Sequence, residues 1–279
     1  MKTNQIRKYI GKVTIAFALA FISLIFITGC NKDNDTQVHS EKTYVLVHGA
    51  FQGGYAWNFV KSQLEAAGQK VVVVDLPGHG SDRTPPEVVT LNSYRDKVIS
   101  AINQVSGKIV LVGHSAGGSV VTGVADSIPE KIESLVYIAA AIPQNGQSLQ
   151  EITMMDPNSQ LFPAVIPAAN GVTGSIPDDK VFSLFCHDGS EEVRKLLIMN
   201  NRPEPLHPQA EKIVLKNSLA TSKIPKYYVR TTLDKVATID IQNKVIEAAG
   251  IKNIFTLNSS HCPFLSMPEK VSQILLQVK

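Results

Sequence analysis

The segment 108–118 places a serine at a sharp turn between an apolar strand and a helix. Residues 108–112 predict a buried strand, Gly-His-Ser-Ala-Gly-Gly follows, and residues 116–127 predict a helix that begins on small residues. Such a turn holds the Ser115 hydroxyl above the sheet, where a histidine and a carbonyl carbon can both reach it. Gly113 and Gly117 let the two backbones pass closely, because a Cβ would clash there. The pattern predicts that Ser115 is a nucleophile.

Strand and helix patterns alternate along the chain around this turn. The predicted strands are 43–48, 71–75, 108–112, 132–140, 226–231 and 252–257, and the predicted helices are 57–67, 91–105, 116–127, 238–249 and one from Pro268. This alternation predicts an α/β fold, a mostly parallel sheet with helices on both faces. Residues 143–223 break the rhythm with many prolines and short helical pieces, which predicts an inserted cap, with an irregular helical core, over the site.

A serine nucleophile requires a histidine base, and seven histidines compete for that role. Only His261 follows the last strand, where the chain order Ser, Asp, His places the base. The acid is expected after a strand between Ser115 and His261. Asp234 follows the strand 226–231 and is our prediction; Asp240, the nearest rival, falls within the next helix.

The developing oxyanion requires two backbone donors. One is predicted to be the N–H of Ala116, directly after the nucleophile. The other is expected in the loop after the first strand, where Gly49 allows a tight bend and Ala50 supplies the amide. No cysteine or histidine cluster has metal-ligand spacing, so no metal is expected.

The first 42 residues differ from the rest of the chain. Residues 1–29 carry four basic and no acidic residues before and around an apolar stretch, which is typical of an export signal. The stretch ends in Ile-Thr-Gly-Cys, resembling a bacterial lipobox with Cys30 as the lipidated residue. An ordinary signal peptide or an uncleaved anchor is the alternative. Residues 30–42 then predict a polar tether, and residues 43–279 predict one domain.

Charge and cysteine usage limit the partners of the chain. The full chain has a formal net charge of +3, and removing the leader leaves −1. The basic balance therefore belongs to the leader, and no nucleic-acid partner is expected. Cys186 and Cys262 are far apart in sequence, and two buried free thiols are favoured over a disulfide.

Several stretches together resemble the α/β-hydrolase fold over about residues 43–279. Within that fold the chain is most similar to the plant methylesterase and hydroxynitrile lyase group and to related bacterial carboxylesterases. The matching stretches are 48–50 with Gly53, Gly54 and Trp57, then 64–68, 75–80, the turn 113–118 and 233–235.

The resemblance implies ester hydrolysis through an acyl-enzyme with no cofactor. It assigns Ser115, His261 and Asp234 to the catalytic triad, and the amides of Ala50 and Ala116 to the oxyanion hole. Lyases of the group resemble each other in having threonine and lysine at two positions that hold Gly49 and Cys262 here, which favours hydrolysis.

The sequence therefore predicts an exported serine hydrolase, lipid-anchored to a bacterial membrane through Cys30, that acts on a small-molecule ester. Other chemistry on the same fold, such as a lyase, amidase or lactonase, stays open, because the cap selects the leaving group. A ligand-binding surface protein without turnover is the alternative from another class. Eight apolar residues of the cap could line a pocket or form its core, and core packing is favoured: Met154, Met155, Leu161, Phe162, Val165, Phe182, Leu184 and Phe185.

Overall fold

A computed structural model describes residues 40–219 and 222–279 of the chain. The predicted signal peptide, Cys30 and nearly all of the tether lie outside the described residues. Among the helices of the described ranges, none combines the length and the apolar character that crossing a bilayer requires.

Six parallel strands form the main sheet. They are β1 (Thr43–Val47), β2 (Lys70–Val74), β3 (Ile109–His114), β4 (Ile132–Ile138), β8 (Lys226–Thr231) and β9 (Asn253–Leu257). Their order across the sheet is β2-β1-β3-β4-β8-β9, and every neighbouring pair is parallel. The order reverses between β1 and β3, so the loops that follow these two strands part and leave a crevice at their carboxyl ends.

Helices cover both faces of the sheet because successive strand side chains point to opposite sides. On β1, Tyr44 and Leu46 belong to one buried cluster, whereas Val45 and Val47 belong to the other. One face is covered by α1 (Asn58–Ala66) and α10 (Pro268–Gln277), and the other by α2 (Leu91–Ile102), α3 (Gly117–Ser127) and α8 (Ile239–Ala248). The predicted α/β class with a sheet buried on both faces is confirmed.

The predicted element order is confirmed, and the bounds shift by a few residues. Helix α2 ends at Ile102, three residues before the predicted end, and the chain turns through Gly107 at φ 79°. Strand β4 ends at Ile138, before the predicted Ala140, because Ala139 adopts φ 46° and leaves the strand conformation. The short helix α9 (Pro263–Ser266) was not predicted.

The cap contains more than short helices. It holds the helices α4 (Leu149–Met154), α5 (Asp178–Phe185), α6 (Glu191–Met199) and α7 (His207–Ala210), with a small antiparallel sheet of β5 (Ile166–Pro167), β6 (Thr173–Ser175) and β7 (Glu204–Pro205). The prediction of an irregular helical core was therefore incomplete. Strands of two or three residues are too short to produce the alternation by which strands are recognised.

Close backbone packing holds α3 against the sheet. A Cβ added to Gly113 would lie 2.9 Å from the Gly117 carbonyl oxygen, and one added to Gly117 would lie 2.5 Å from the His48 carbonyl oxygen. At Gly118 the added Cβ would lie 2.3 Å from the Ala141 carbonyl oxygen. The glycines of the turn are therefore required by the packing of the helix.

Two glycine substitutions in α3 are expected to have opposite effects. We expect Gly118→Ala to lower the free energy of unfolding by about 1–3 kcal/mol, because the backbone must move to admit the new Cβ. Gly123→Ala is the matched control: its Cβ meets nothing closer than 3.7 Å, so the better helix former is expected to be neutral or to stabilise by up to about 1 kcal/mol. Urea unfolding measures both. Equal stability of the two variants would contradict the packing argument.

Candidate active site

Ser115 occupies a strained turn at the carboxyl end of β3. Its φ of 52° lies in the left-handed region, which side chains other than glycine rarely adopt. The Ser115 N–H donates to the Ile138 carbonyl at 3.2 Å, and the Ser115 carbonyl accepts from the Ala141 N–H at 3.1 Å. These bonds to the end of β4 and the following loop hold the strained conformation, and the side chain reaches the wall of a cavity.

His261 and Asp234 form a buried pair on two neighbouring loops. His261 Nδ1 lies 2.7 Å from Asp234 Oδ2, and both side chains are fully buried. Asp234 also accepts from the Thr231 hydroxyl at 2.9 Å and from the N–H groups of Val236 and Ala237 at 2.8 and 2.9 Å. Every carboxylate oxygen is therefore occupied, and the carboxylate is held in one orientation. The rival Asp240 is exposed in the first turn of α8.

The other ring nitrogen of His261 is available for proton transfer. Its Nε2 is buried and has no hydrogen-bond partner among the described residues. The His261 ring lies against His114, the residue before Ser115, with the ring centroids 4.6 Å apart. The structure thus brings the three predicted triad residues to one end of the sheet, where loops after three different strands meet.

Three residues that the sequence analysis did not assign hold the His261 loop. His114 Nε2 donates to the His261 carbonyl at 3.0 Å, and burial, with His261 nearby, lowers the pKa of His114 well below its usual value, so the ring is neutral. From the cap, Asp188 accepts from the Ser260 N–H at 3.0 Å and from its hydroxyl, and the Phe185 carbonyl accepts from the Cys262 N–H at 3.0 Å. Only long-range contacts reveal these roles.

The predicted oxyanion donors face the same cavity as Ser115. Ala50 and Ala116 both line it, and neither N–H donates a hydrogen bond within the described part of the chain. The loop after β1 is fixed by His48, whose Nδ1 donates to the Gly49 carbonyl at 2.8 Å and whose Nε2 accepts from the Leu76 N–H at 3.1 Å. Burial, with the nearby His79, lowers the pKa of His48 to about 4, so this ring is also neutral.

A cavity of about 400 Å³ lies between the sheet and the cap and is lined mostly by apolar side chains. Of the eight apolar cap residues considered above, Leu161, Phe162 and Val165 line it. Leu184 and Phe185 are buried in the core and Phe182 packs against it, whereas Met154 and Met155 are exposed. The cap residues thus divide between cavity lining, core packing and surface.

The two described cysteines are buried free thiols, as predicted. Burial, with the Asp188 charge nearby, raises the pKa of Cys186 to about 12, and burial also raises that of Cys262. Both therefore stay protonated. Within residues 40–219 and 222–279, no group of three or more His, Cys, Asp or Glu side chains could hold a metal ion.

A parallel sheet with a serine on a strained strand-to-helix turn, and an Asp–His pair on later loops, are features of the α/β-hydrolase fold. Residues 44–274 match the Alpha/beta hydrolase family, and the chain belongs to that family. Among its relatives, the putative chloroplastic methylesterase 12 of Arabidopsis thaliana is 30% identical over 250 residues, which are 85% of this chain and 71% of the relative.

Solved structures share this fold. An extracellular alpha/beta-hydrolase from a Paenibacillus species, said to share structural and functional homology with tobacco salicylic acid binding protein 2, superimposes with a TM-score of 0.73 at 25% identity, covering 85% of this chain and 98% of that one. Polyneuridine aldehyde esterase superimposes with a TM-score of 0.74 at 24% identity, covering 86% of this chain and 99% of that chain. The predicted fold and family resemblance are confirmed.

Proposed function

We propose that the protein is a serine carboxylesterase that hydrolyses small or medium apolar esters through an acyl-enzyme. The observation that carries this proposal is that Ser115, in its strained turn on the wall of a mostly apolar cavity, and the buried Asp234–His261 pair lie at the same end of the sheet. Relatives named methylesterases, and a structural neighbour named an esterase, support hydrolysis of esters.

In the first step, the Ser115 oxygen attacks the ester carbonyl carbon and its proton passes to His261 Nε2. Asp234 holds the Nδ1 proton and stabilises the imidazolium that forms. The carbonyl electron pair moves onto the oxygen, which accepts from the Ala50 and Ala116 amides. The bond to the alcohol oxygen then breaks, and the alcohol leaves with the proton from His261.

In the second step, water replaces the alcohol. His261 removes a proton from the water while the water oxygen attacks the acyl carbon. The bond between the acyl carbon and the Ser115 oxygen then breaks. Ser115 regains the proton from His261, and the carboxylic acid leaves. The chain itself supplies the nucleophile, the base and the oxyanion donors.

Two positions favour hydrolysis over cyanohydrin cleavage. A Cβ on Gly49 would lie 2.7 Å from the Ser115 Cβ. The threonine that lyases of the group have at this position would therefore fit here only if the loop moved. Cys262 is a buried, protonated thiol, and it cannot supply the positive charge that would stabilise a leaving cyanide.

A panel of p-nitrophenyl esters tests the proposal. We expect the full-length protein in detergent to hydrolyse acetate to hexanoate esters and to lose activity at longer chains, because a cavity of about 400 Å³ encloses a small or medium ester. A fluorophosphonate probe, which reacts with nucleophilic serines, should label Ser115 covalently. No turnover of any ester, with no labelling of the folded protein, would leave the ligand-binding alternative instead.

We further propose that the protein is exported and lipid-anchored through Cys30. The basic first segment, the apolar stretch and the Ile-Thr-Gly-Cys ending support this proposal. The anchor would keep the catalytic domain at a membrane surface. Fractionation of bacterial cells tests it, since wild type should sediment with membranes and Cys30→Ser should lose metabolic fatty-acid labelling. Equal labelling of both forms would contradict lipidation at this residue.

A further inference from the structure

Glu204 is a buried acid in the cap that the proposed mechanism does not use. It lies on β7, its side chain is 1% exposed, and it lines the cavity beside Ala50 and Ala116. Its Oε1 accepts from the Gln209 side-chain amide at 2.6 Å, and its Oε2 accepts from the Phe51 N–H at 2.7 Å. A buried carboxylate is costly unless its charge is paired, so its partners indicate why it is there.

The charge of Glu204 is paired with His79, from the loop after β2. His79 Nε2 lies 2.7 Å from Glu204 Oε2, and His79 Nδ1 lies 3.0 Å from the Pro77 carbonyl oxygen. Both neighbours are acceptors, and only the imidazolium donates from both ring nitrogens. The ring is buried between the cap and the sheet, so a charged pair joins the two.

The surroundings of His79 favour its protonated form. Burial acts to lower the pKa of His79, but the charge and hydrogen bond of Glu204, the Pro77 carbonyl and the charge of Asp75 together raise it above its usual value. The other groups that face the ring are neutral His48, at 5.0 Å between centroids, and Tyr94, at 5.6 Å.

The Phe51 amide connects this pair to the oxyanion loop. Phe51 adopts φ 61°, a conformation that costs energy for an aromatic residue and requires support from its surroundings. The hydrogen bond to Glu204 fixes the peptide plane between Ala50 and Phe51. That peptide plane and the Ala50 N–H are both attached to the Ala50 Cα. Fixing the plane therefore also restricts the directions in which the Ala50 N–H can point.

We propose that Glu204, held by the His79 imidazolium, is a positioning residue that orients the Ala50 amide of the oxyanion hole from the cap. This inference rests on the proposed function, because Ala50 is a donor only in acyl transfer. The cap, packed on the sheet, thus supplies the residue that orients one donor of the oxyanion hole. The carboxylate does not touch the reacting atoms in this role, and it acts through Phe51.

Three variants test the positioning role. Glu204→Leu removes the acceptor for the Phe51 N–H, whereas Glu204→Gln keeps an acceptor of nearly the same shape without charge. The matched control is Glu211→Gln, at another cap carboxylate, which accepts from the Leu91 N–H, whereas the Phe51 N–H donates to Glu204. Each is assayed as full-length protein in detergent for kcat, KM and inhibition by a trifluoromethyl ketone, whose adduct with Ser115 places an oxyanion in the hole.

We expect Glu204→Leu to lower kcat by about 10²-fold and to weaken the inhibitor by a similar factor, with KM changed far less, since a displaced donor acts in the transition state. Glu204→Gln should retain kcat within about 10-fold, and Glu211→Gln should resemble wild type. In wild type, activity should fall as the pH rises through the His79 pKa, because loss of the imidazolium charge leaves the buried Glu204 carboxylate without its positive partner. Glu204→Gln should lack this decline.

Hydrogen exchange separates this inference from the proposed function, because it requires no turnover. The Phe51 amide should be protected in wild type and Glu204→Gln and exchange rapidly in Glu204→Leu. Protection in all three, or equal loss of kcat in Glu204→Leu and Glu211→Gln, would overturn the positioning role. If Glu204→Leu does not fold, a high-pH decline that persists in Glu204→Gln would overturn it. If the wild-type protein shows no Ser115-dependent turnover of esters, that result counts against the esterase proposal alone.

Discussion

Ser115→Ala is expected to lower kcat/KM for p-nitrophenyl butyrate by about 10⁵- to 10⁶-fold, which is the loss found when a serine hydrolase loses its nucleophile. The variant retains the cavity and the amides of Ala50 and Ala116, but no acyl-enzyme can form. Fluorophosphonate labelling should disappear with turnover. Steady-state kinetics and mass spectrometry of the labelled protein measure the two effects.

The control for this substitution is Ser127→Ala at the other end of α3. The Ser127 hydroxyl donates to the Gly123 carbonyl at 2.8 Å and lies far along the helix from the cavity, so wild-type kinetics are expected. A second test is the double variant with His261→Ala. Because the nucleophile and base act as a unit, the double variant should be scarcely slower than either single one. Fully additive losses would contradict a shared Ser115–His261 step.

Asp234→Asn is expected to lower kcat by about 10⁴-fold with little change in KM, as in enzymes where the triad acid becomes an amide. The hydrogen bonds of this site explain the direction. Asp234 Oδ1 accepts from the N–H groups of Val236 and Ala237, so the asparagine oxygen must take that position. Its NH₂ group then faces His261 Nδ1 and donates to it.

The reversed donor changes the tautomer of His261. With Nδ1 accepting, the proton of the neutral ring moves to Nε2, and that nitrogen can no longer take the proton of Ser115. Asp240→Asn is the matched control, because Asp240 is exposed in α8 and does not line the cavity; it should keep wild-type kinetics. Activity of Asp234→Asn within tenfold of wild type would contradict the assignment of Asp234 as the acid.

The core elements were predictable because their signals are local. Buried strands of a parallel sheet are continuous apolar runs, and the glycines around Ser115 mark a turn that requires them. His261 and Asp234 were predicted from their positions after strands, since parallel strands deliver their following loops to one edge of the sheet. The Asp234–His261 distance of 2.7 Å agrees with that reasoning, although their catalytic roles stay predictions.

The cap was less predictable because its structure depends on distant contacts. Its strands of two or three residues carry no periodic pattern, and its apolar residues divide among cavity, core and surface in a way that no local pattern encodes. Glu204 stands between two prolines in the sequence and resembles a surface acid. Its burial depends on Phe51, 153 residues earlier, and on His79, 125 residues earlier.

By itself, then, the sequence determined the order of strands and helices, the strained serine turn and the loops that carry His261 and Asp234, because hydrophobic periodicity and glycine requirements act over a few residues. Only the tertiary structure decided which side chains the cap contributes to the site. The Glu204–His79 pair, the Asp188–Ser260 contact and the shape of the cavity arise where the inserted segment packs on the sheet, since burial and charge pairing depend on residues far apart in the chain.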